Sequence, residues 1–204
     1  SFKNRKVYLE NKKGETVDLV LLKTHKGEMN LTQAIFKPKV ELKPNSIYFL
    51  KISNLTKSEE MDFTNWNSKT GKREPIYWQT TTKKQSDFLN IDFKINFKKT
   101  EVIHYGCGPS VNAIFNVKNK NKNEIWFKTE VINLETNEKK NYIIKGWNNS
   151  LNVGHGMCSG AFVFNQKGKY KVRFTHMNTD GKMNKTTKWF VFKNPYMNQK
   201  GFGF

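Results

Sequence analysis

Hydrophobic residues recur along this chain with a period of two, so the pattern predicts strands rather than helices. In KGKYKVRFTHMNTDGK, Tyr170, Val172, Phe174 and His176 alternate with Lys169, Lys171, Arg173 and Thr175. That is a half-buried antiparallel strand, closed by the turn signal Asp180-Gly181 and followed by TTKWFVFK as its partner. In GPSVNAIFNVKNK, Val111, Ala113, Phe115 and Val117 line one face. NEIWFKTEVINLE predicts a longer strand, paired with KKNYIIKGW across the polar turn ETNEKK. SGAFVFNQKG and FLNIDFKINFKKTEVIHYG bring the second half to about seven short strands with regular turns.

The first half reads the same way. RKVYLENKKGETVDLVLLKTHKGEMNLTQAIFKPKVELKPNSIYFLKISNL holds at least four strands, with Gly14 and Gly27 in turns. Tyr48, Leu50 and Ile52 alternate inward. Residues 54–88 are polar and mixed, with NSKTGKREP as an exposed loop and Trp66, Tyr77 and Trp78 as buried anchors at most. The expected architecture is all-β: two tandem immunoglobulin-like or fibronectin-like β-sandwich domains, over residues 1–88 and 89–204, with the boundary near Gln85 to Asn90.

Two stretches carry a family likeness. Phe36-Lys37-Pro38, followed by Leu42-Lys43-Pro44-Asn45-Ser46-Ile47-Tyr48, resembles the Phe-x-Pro and Leu-x-Pro-Asn-x-x-Tyr elements of bacterial Ig-like domains in surface-layer and other secreted proteins. Pro44 fixes φ in a turn, Asn45 tolerates the next position, and Tyr48 enters the following strand facing the core. The likeness covers about 40 residues, and GAFVFNQKGKYKVRFTHMNTDGK resembles a generic Ig-like tail. It implies a bacterial protein that is secreted, periplasmic or on the cell surface. Such modules serve adhesion, spacing and binding, with a protein or glycan as partner. A second stretch, Gly154-His155 followed by Gly160-Ala161-Phe162, is similar to an element of periplasmic copper-resistance β-sandwiches.

Charge sharpens this picture less than its size suggests. The 204 residues carry 36 Lys and Arg against 17 Asp and Glu, a net charge of +19. Arginine occurs only at Arg5, Arg73 and Arg173. Nucleic-acid readers favour the planar guanidinium fork, so scattered lysine among asparagine does not point to nucleic acid. A polyanion-binding face remains the alternative. Apolar content is 36% and aromatic content 14%, enough for a packed core. No apolar run reaches the ~18 residues of a membrane span.

The candidate chemistry lies in HYGCG and GHGMCSG, where each of the two cysteines follows a histidine by three residues. Cys107 and Cys158 most simply form a disulfide, closing a loop worth ~4 kcal/mol by chain entropy. Reduced, they join His104 and His155 as a possible Cys2His2 zinc set, or with Met157, or His176 and Met177, as soft copper ligands. A thiolate–imidazolium pair lacks a third orienting group nearby in sequence, so no catalytic residue is assigned. His25 is expected in a solvated turn and His176 at an inward strand end. Trp126 and Trp189 are expected in or beside the core, while Trp66 and Trp147 lie in polar loops as candidate ligand-binding aromatics. The reading at this point is a non-catalytic binding or structural protein without a cofactor. The alternatives are a zinc or copper binder and a glycan-binding accessory module.

Overall fold

The structure is a computed structural model that describes residues 2–29, 31–82, 94–118, 125–164 and 168–198. It is all-β, with several antiparallel sheets. The chain forms two compact units: residues 1–24 with 34–84, and residues 25–33 with 85–204. The short segment 25–33 therefore belongs to the second unit, which a single cut in the sequence does not anticipate. The expected boundary at Gln85 to Asn90 lies outside the described residues.

The first unit holds β1 (Val7–Asn11), most of β2 (Thr16–Lys26) and of β3 (Thr32–Pro38), β4 (Ile47–Ile52) and β7 (Tyr77–Gln79), in the sheet order β3-β2-β1-β4-β7. In β1 and β4, Val7 faces Ile52, Leu9 faces Leu50 and Asn11 faces Tyr48. Val7, Leu9 and Tyr48 are buried on that shared face. The Pro44 turn forms as its residues dictate: Asn45 takes φ +50°, Tyr48 is 2% exposed, and its hydroxyl accepts the Lys43 N–H at 3.0 Å. On the other face, carboxylates are matched to lysines: Asp18 to Lys6 and Lys39, each at 3.1 Å, and Glu10 to Lys51 at 3.8 Å.

Residues 54–79 are more ordered than their polarity predicts. A short helix α1 (Lys57–Asp62) is capped by Thr56, whose side chain accepts the Glu59 N–H while the Glu59 carboxylate accepts the Thr56 N–H. This is the reciprocal capping box, and its signature Thr-x-x-Glu stands in the sequence. Glu59 also takes a bidentate pair from Arg5 at 2.8 and 3.0 Å, which with the Thr56 N–H holds its carboxyl down at about 2. The expected loop NSKTGKREP is largely a hairpin, β5 (Thr64–Asn67) against β6 (Lys72–Pro75).

The second unit holds two main sheets. One has the order β12 (Ser150–His155), β9 (Gly108–Lys118), β8 (Lys94–Tyr105). The other has β11 (Lys139–Lys145), β10 (Trp126–Asn133), β13 (Lys169–Met177) and β14 (Met183–Thr186), with β15 (Phe190–Lys193) also on β13. One core is drawn from both sheets. Phe115 of β9 is fully buried, with ring centroids of Phe174 at 5.0 Å and Phe190 at 5.5 Å. The alternation that marked β9, β10 and β13 in the sequence is the alternation of inward residues into this core.

Two expectations change here. SGAFVFNQKG forms no strand over its described residues, although Phe162 and Phe164 are buried at 1% and 0%. TTKWFVFK is split into part of β14 and β15. The strand that was missed is β12, because SLNVGH is short and interrupted by glycine. It follows a two-residue turn in which Asn148 and Asn149 both take positive φ, +47° and +59°. Trp147 and Ser150 exchange two 2.8 Å hydrogen bonds across it, a hairpin closure that suits the strand twist.

Candidate functional sites: a glycine loop and a basic sheet face

The GHGMCSG stretch begins at the end of β12. Its two outer glycines are required by close approach. A Cβ on Gly154 would lie 1.9 Å from the Val111 carbonyl oxygen, and one on Gly160 would lie 2.3 Å from the His155 Cα. His155 pairs with Gly160, and the Gly156 N–H donates to Ser159 O at 2.9 Å, closing a tight turn. Gly160 also accepts the Glu28 N–H at 2.9 Å.

The four candidate ligands do not assemble. His155 is buried at 4%, with Nδ1 2.7 Å from its neighbour's carbonyl, Gly156 O. Cys158, three residues on, is exposed. His104 is exposed on β8, and Cys107 is exposed in the two-residue turn between Tyr105 and Gly108. Among the described residues no group of three or more His, Cys, Asp or Glu could hold a metal ion. The zinc or copper set of His104, Cys107, His155 and Cys158 is therefore not formed. In the second pair the reason is local: residues three apart leave a strand or turn in different directions, and here His155 points in and Cys158 out. The two cysteine turns are neighbours, since a Cβ on Gly108 would lie 3.6 Å from Met157 O. Even so, both thiols are free and exposed, so the expected Cys107–Cys158 disulfide is absent from this structure.

His25 departs from its expected solvated turn. It is 6% exposed near the end of β2, with its ring 6.4 Å from that of Tyr142. His176 is buried at 7% on the inward face of β13, and burial pushes its imidazole below the ordinary value. Trp66 and Trp147 are exposed at 65% and 73%, in different units. Tyr77 and Trp78 are exposed as well, at 54% and 49%, so these two and Trp66 are not buried anchors.

A different arrangement stands out on the second unit. Across β11, β10 and β13 the register places Lys145 opposite Trp126, Lys128 opposite Thr175, Glu130 opposite Arg173, and Ile132 opposite both Lys139 and Lys171. These residues share the face turned away from Phe127, Val131, Val172 and Phe174, which lie in the core. Trp126 and Trp189 are half-buried rather than core residues. The Lys145 ammonium lies 5.8 Å from the Trp126 ring centre. The Lys171 ammonium and the Arg173 guanidinium lie 5.0 and 4.6 Å from that of Trp189. Each such contact is worth about 0.5–1 kcal/mol at an exposed site and orders the cation it holds.

Glu130 is the single carboxylate in β10, β11, β13, β14 and β15. It is 6% exposed, bonded to Arg173 and at 2.7 Å from Lys139. Burial pushes its carboxyl up, but the hydrogen bonds and charges of Arg173 and Lys139 outweigh that and hold it at about 2. The sequence signal for this face was present in the alternation of β13, where the outward set is Lys169, Lys171, Arg173 and Thr175. What the sequence hid was the company those residues keep across strands.

No protein-family model matches the chain, and no curated protein matches it. Among solved structures, a cytokine receptor complex aligns over 94% of this chain and 87% of its own, at 7% identity and a TM-score of 0.29. No helix among the described residues is long and apolar enough to cross a membrane.

Proposed function

We propose that the protein is a non-catalytic binding or structural protein of Ig-like modules, acting outside the cytoplasm or at the cell surface, with a protein or glycan as partner. One observation carries the reading. The second unit orders its strands as β12-β9-β8 in one sheet and β11-β10-β13 with β14 and β15 in the other. Taken in chain order, this strand order is like the A-B-E and C′-C-F-G arrangement of immunoglobulin and fibronectin type III sandwiches, and that likeness supports the reading. The Pro44–Tyr48 turn in the first unit, which resembles the bacterial Ig-like element, supports the same reading. Fold alone does not assign a role, so the role rests on the surface the sandwich presents.

The test is location. Antibody raised against the purified protein is applied to intact and lysed cells of the organism that encodes it, alongside the culture medium. The expected result is signal in the medium, in the periplasmic fraction, or on intact cells where it is removed by added protease. Recovery solely in the soluble cytoplasmic fraction overturns the reading.

A further inference from the structure

We propose that the outer face of the first unit's sheet is a docking surface for a neutral polysaccharide. The inference deepens the reading of the protein as a binder of protein or glycan, and it rests on that reading. It commits to a site and a ligand class: the rings of Tyr8, Phe49 and Tyr77, edged by Glu10, Asp18 and Lys51, against the pyranose rings of an uncharged glycan.

The first argument is placement. Tyr77 of β7 lies opposite Phe49 of β4, and Phe49 lies opposite Glu10 of β1. Tyr8, two residues before Glu10, lies opposite both Lys51 and Asp18. The register therefore sets all six on one face, turned away from Val7, Leu9 and Tyr48, which are buried on the other. The three rings cross three adjacent strands as a diagonal band. The ring centroids of Phe49 and Tyr77 are 6.2 Å apart. Tyr77 is 54% exposed, while Tyr8 and Phe49 are half-buried, so the band is rooted in the sheet and open at the β7 edge. Strands stand about 4.8 Å apart, so the band is flat and about 10 Å long. That suits a length of extended sugar chain.

The second argument is charge. The band is edged by both signs in matched pairs: Asp18 with Lys6 and Lys39, each at 3.1 Å, and Glu10 with Lys51 at 3.8 Å. Such pairing cancels most of the local field, so an ion of either sign gains little by binding here. Carboxylates accept hydrogen bonds and ammonium groups donate them, and a sugar hydroxyl does both. The Lys6 ammonium also lies 5.3 Å from the Tyr8 ring centre, which orders the ring and the cation together.

The third argument separates a glycan from other partners. The buried centres of protein interfaces are depleted in Lys, Glu and Asp, whereas here these residues are interleaved with the rings. Glu10 and Asp18 repel a phosphate backbone. A pyranose offers a C–H face that packs on an aromatic ring and a girdle of hydroxyls that reaches polar groups beside it. Rings with charged neighbours on a flat sheet match both features.

The experiment uses the full chain in affinity electrophoresis through gels containing hydroxyethylcellulose, laminarin, galactomannan, xylan or dextran, with alginate and single-stranded DNA as anionic comparisons. The variants are Tyr77→Ala and Tyr77→Trp on the band, and Trp66→Ala and Trp147→Ala elsewhere. The proposal expects retardation by at least one neutral polysaccharide, unchanged as salt rises from about 0.05 to 0.5 M. It expects affinity weaker by about tenfold or more for Tyr77→Ala, near the parent for Tyr77→Trp, and weaker by less than about threefold for the other two. Thermal melts of all four should lie near the parent, since each altered ring is largely exposed. Equal losses in Tyr77→Ala and either distant variant, or no loss in Tyr77→Ala, overturn the site. Absence of retardation by every neutral polysaccharide overturns the ligand class, as does tighter, salt-sensitive binding to alginate or DNA. These outcomes do not depend on where in the cell the protein resides, so they are separable from failure of the broader reading.

Discussion

Glycine and glutamate positions in the second unit show how much single atoms decide. Gly154 meets the Val111 carbonyl so closely that a Cβ at 1.9 Å has no room. Gly154→Ala should destabilise by about 1–3 kcal/mol, through displacement of β12 from β9. Urea denaturation measures this, and a loss under 0.5 kcal/mol would show that the strands can part there without cost. Glu130 gives a pH signature. Its carboxyl is ordinarily at 4.5 and is held at about 2 in the fold. The unfolded chain therefore takes up this proton as pH falls past 4.5, while the folded chain resists until about 2. The stability it contributes is complete above about pH 5.5 and is lost towards pH 2. Glu130→Gln should cost about 2 kcal/mol at pH 7, allowing for solvent screening around Arg173 and Lys139. The gap between parent and variant should narrow steadily below pH 4.5 in denaturant melts, and a gap independent of pH would refute the assignment.

Among elements, α1 and the edge of β11 are held by side chains rather than by a core. The helix buries none of its residues, so its end contacts matter. Thr56→Ala should cost about 1 kcal/mol locally, with roughly fivefold faster amide exchange at Glu59 and little change in the global melt. Unchanged exchange would mean that the Arg5–Glu59 pair alone fixes the helix. At β11, the Gln33 side-chain amide donates to Ile143 O at 3.0 Å and accepts the Ile143 N–H at 2.9 Å. One amide thus satisfies a free strand edge as a neighbouring strand would, which also blunts edge-to-edge pairing.

The second unit as a whole depends on its two sheets meeting at Phe115. Phe97, Phe174, Phe190 and Phe192 all have ring centroids within 6.2 Å of it. Phe115→Ala should remove about 3–5 kcal/mol, a large share of the 5–15 kcal/mol that holds a domain. Tryptophan fluorescence during denaturation reports it, and a loss below 1 kcal/mol would mean that the sheets do not share this core.

The sequence by itself determined the strands of the second unit that read in alternation, because a period of two is imposed by backbone geometry and the core rewards it: β9, β10 and β13 were legible for that reason. It also determined the Pro44–Asn45 turn and the Thr56-x-x-Glu59 cap, since each is set within a few residues. Tertiary structure alone decided the rest. The close approaches at Gly154 and Gly160, the burial of His25 and the assignment of residues 25–33 to the second unit all depend on what lies opposite in space. So does the separation of His104, Cys107, His155 and Cys158: a repeated spacing looked like a ligand set, but spacing along a chain does not fix direction. The basic face lies between these cases. Its outward lysines were visible one strand at a time, and only the pairing of β11, β10 and β13 brought Lys139 and Arg173 onto one buried carboxylate, Glu130.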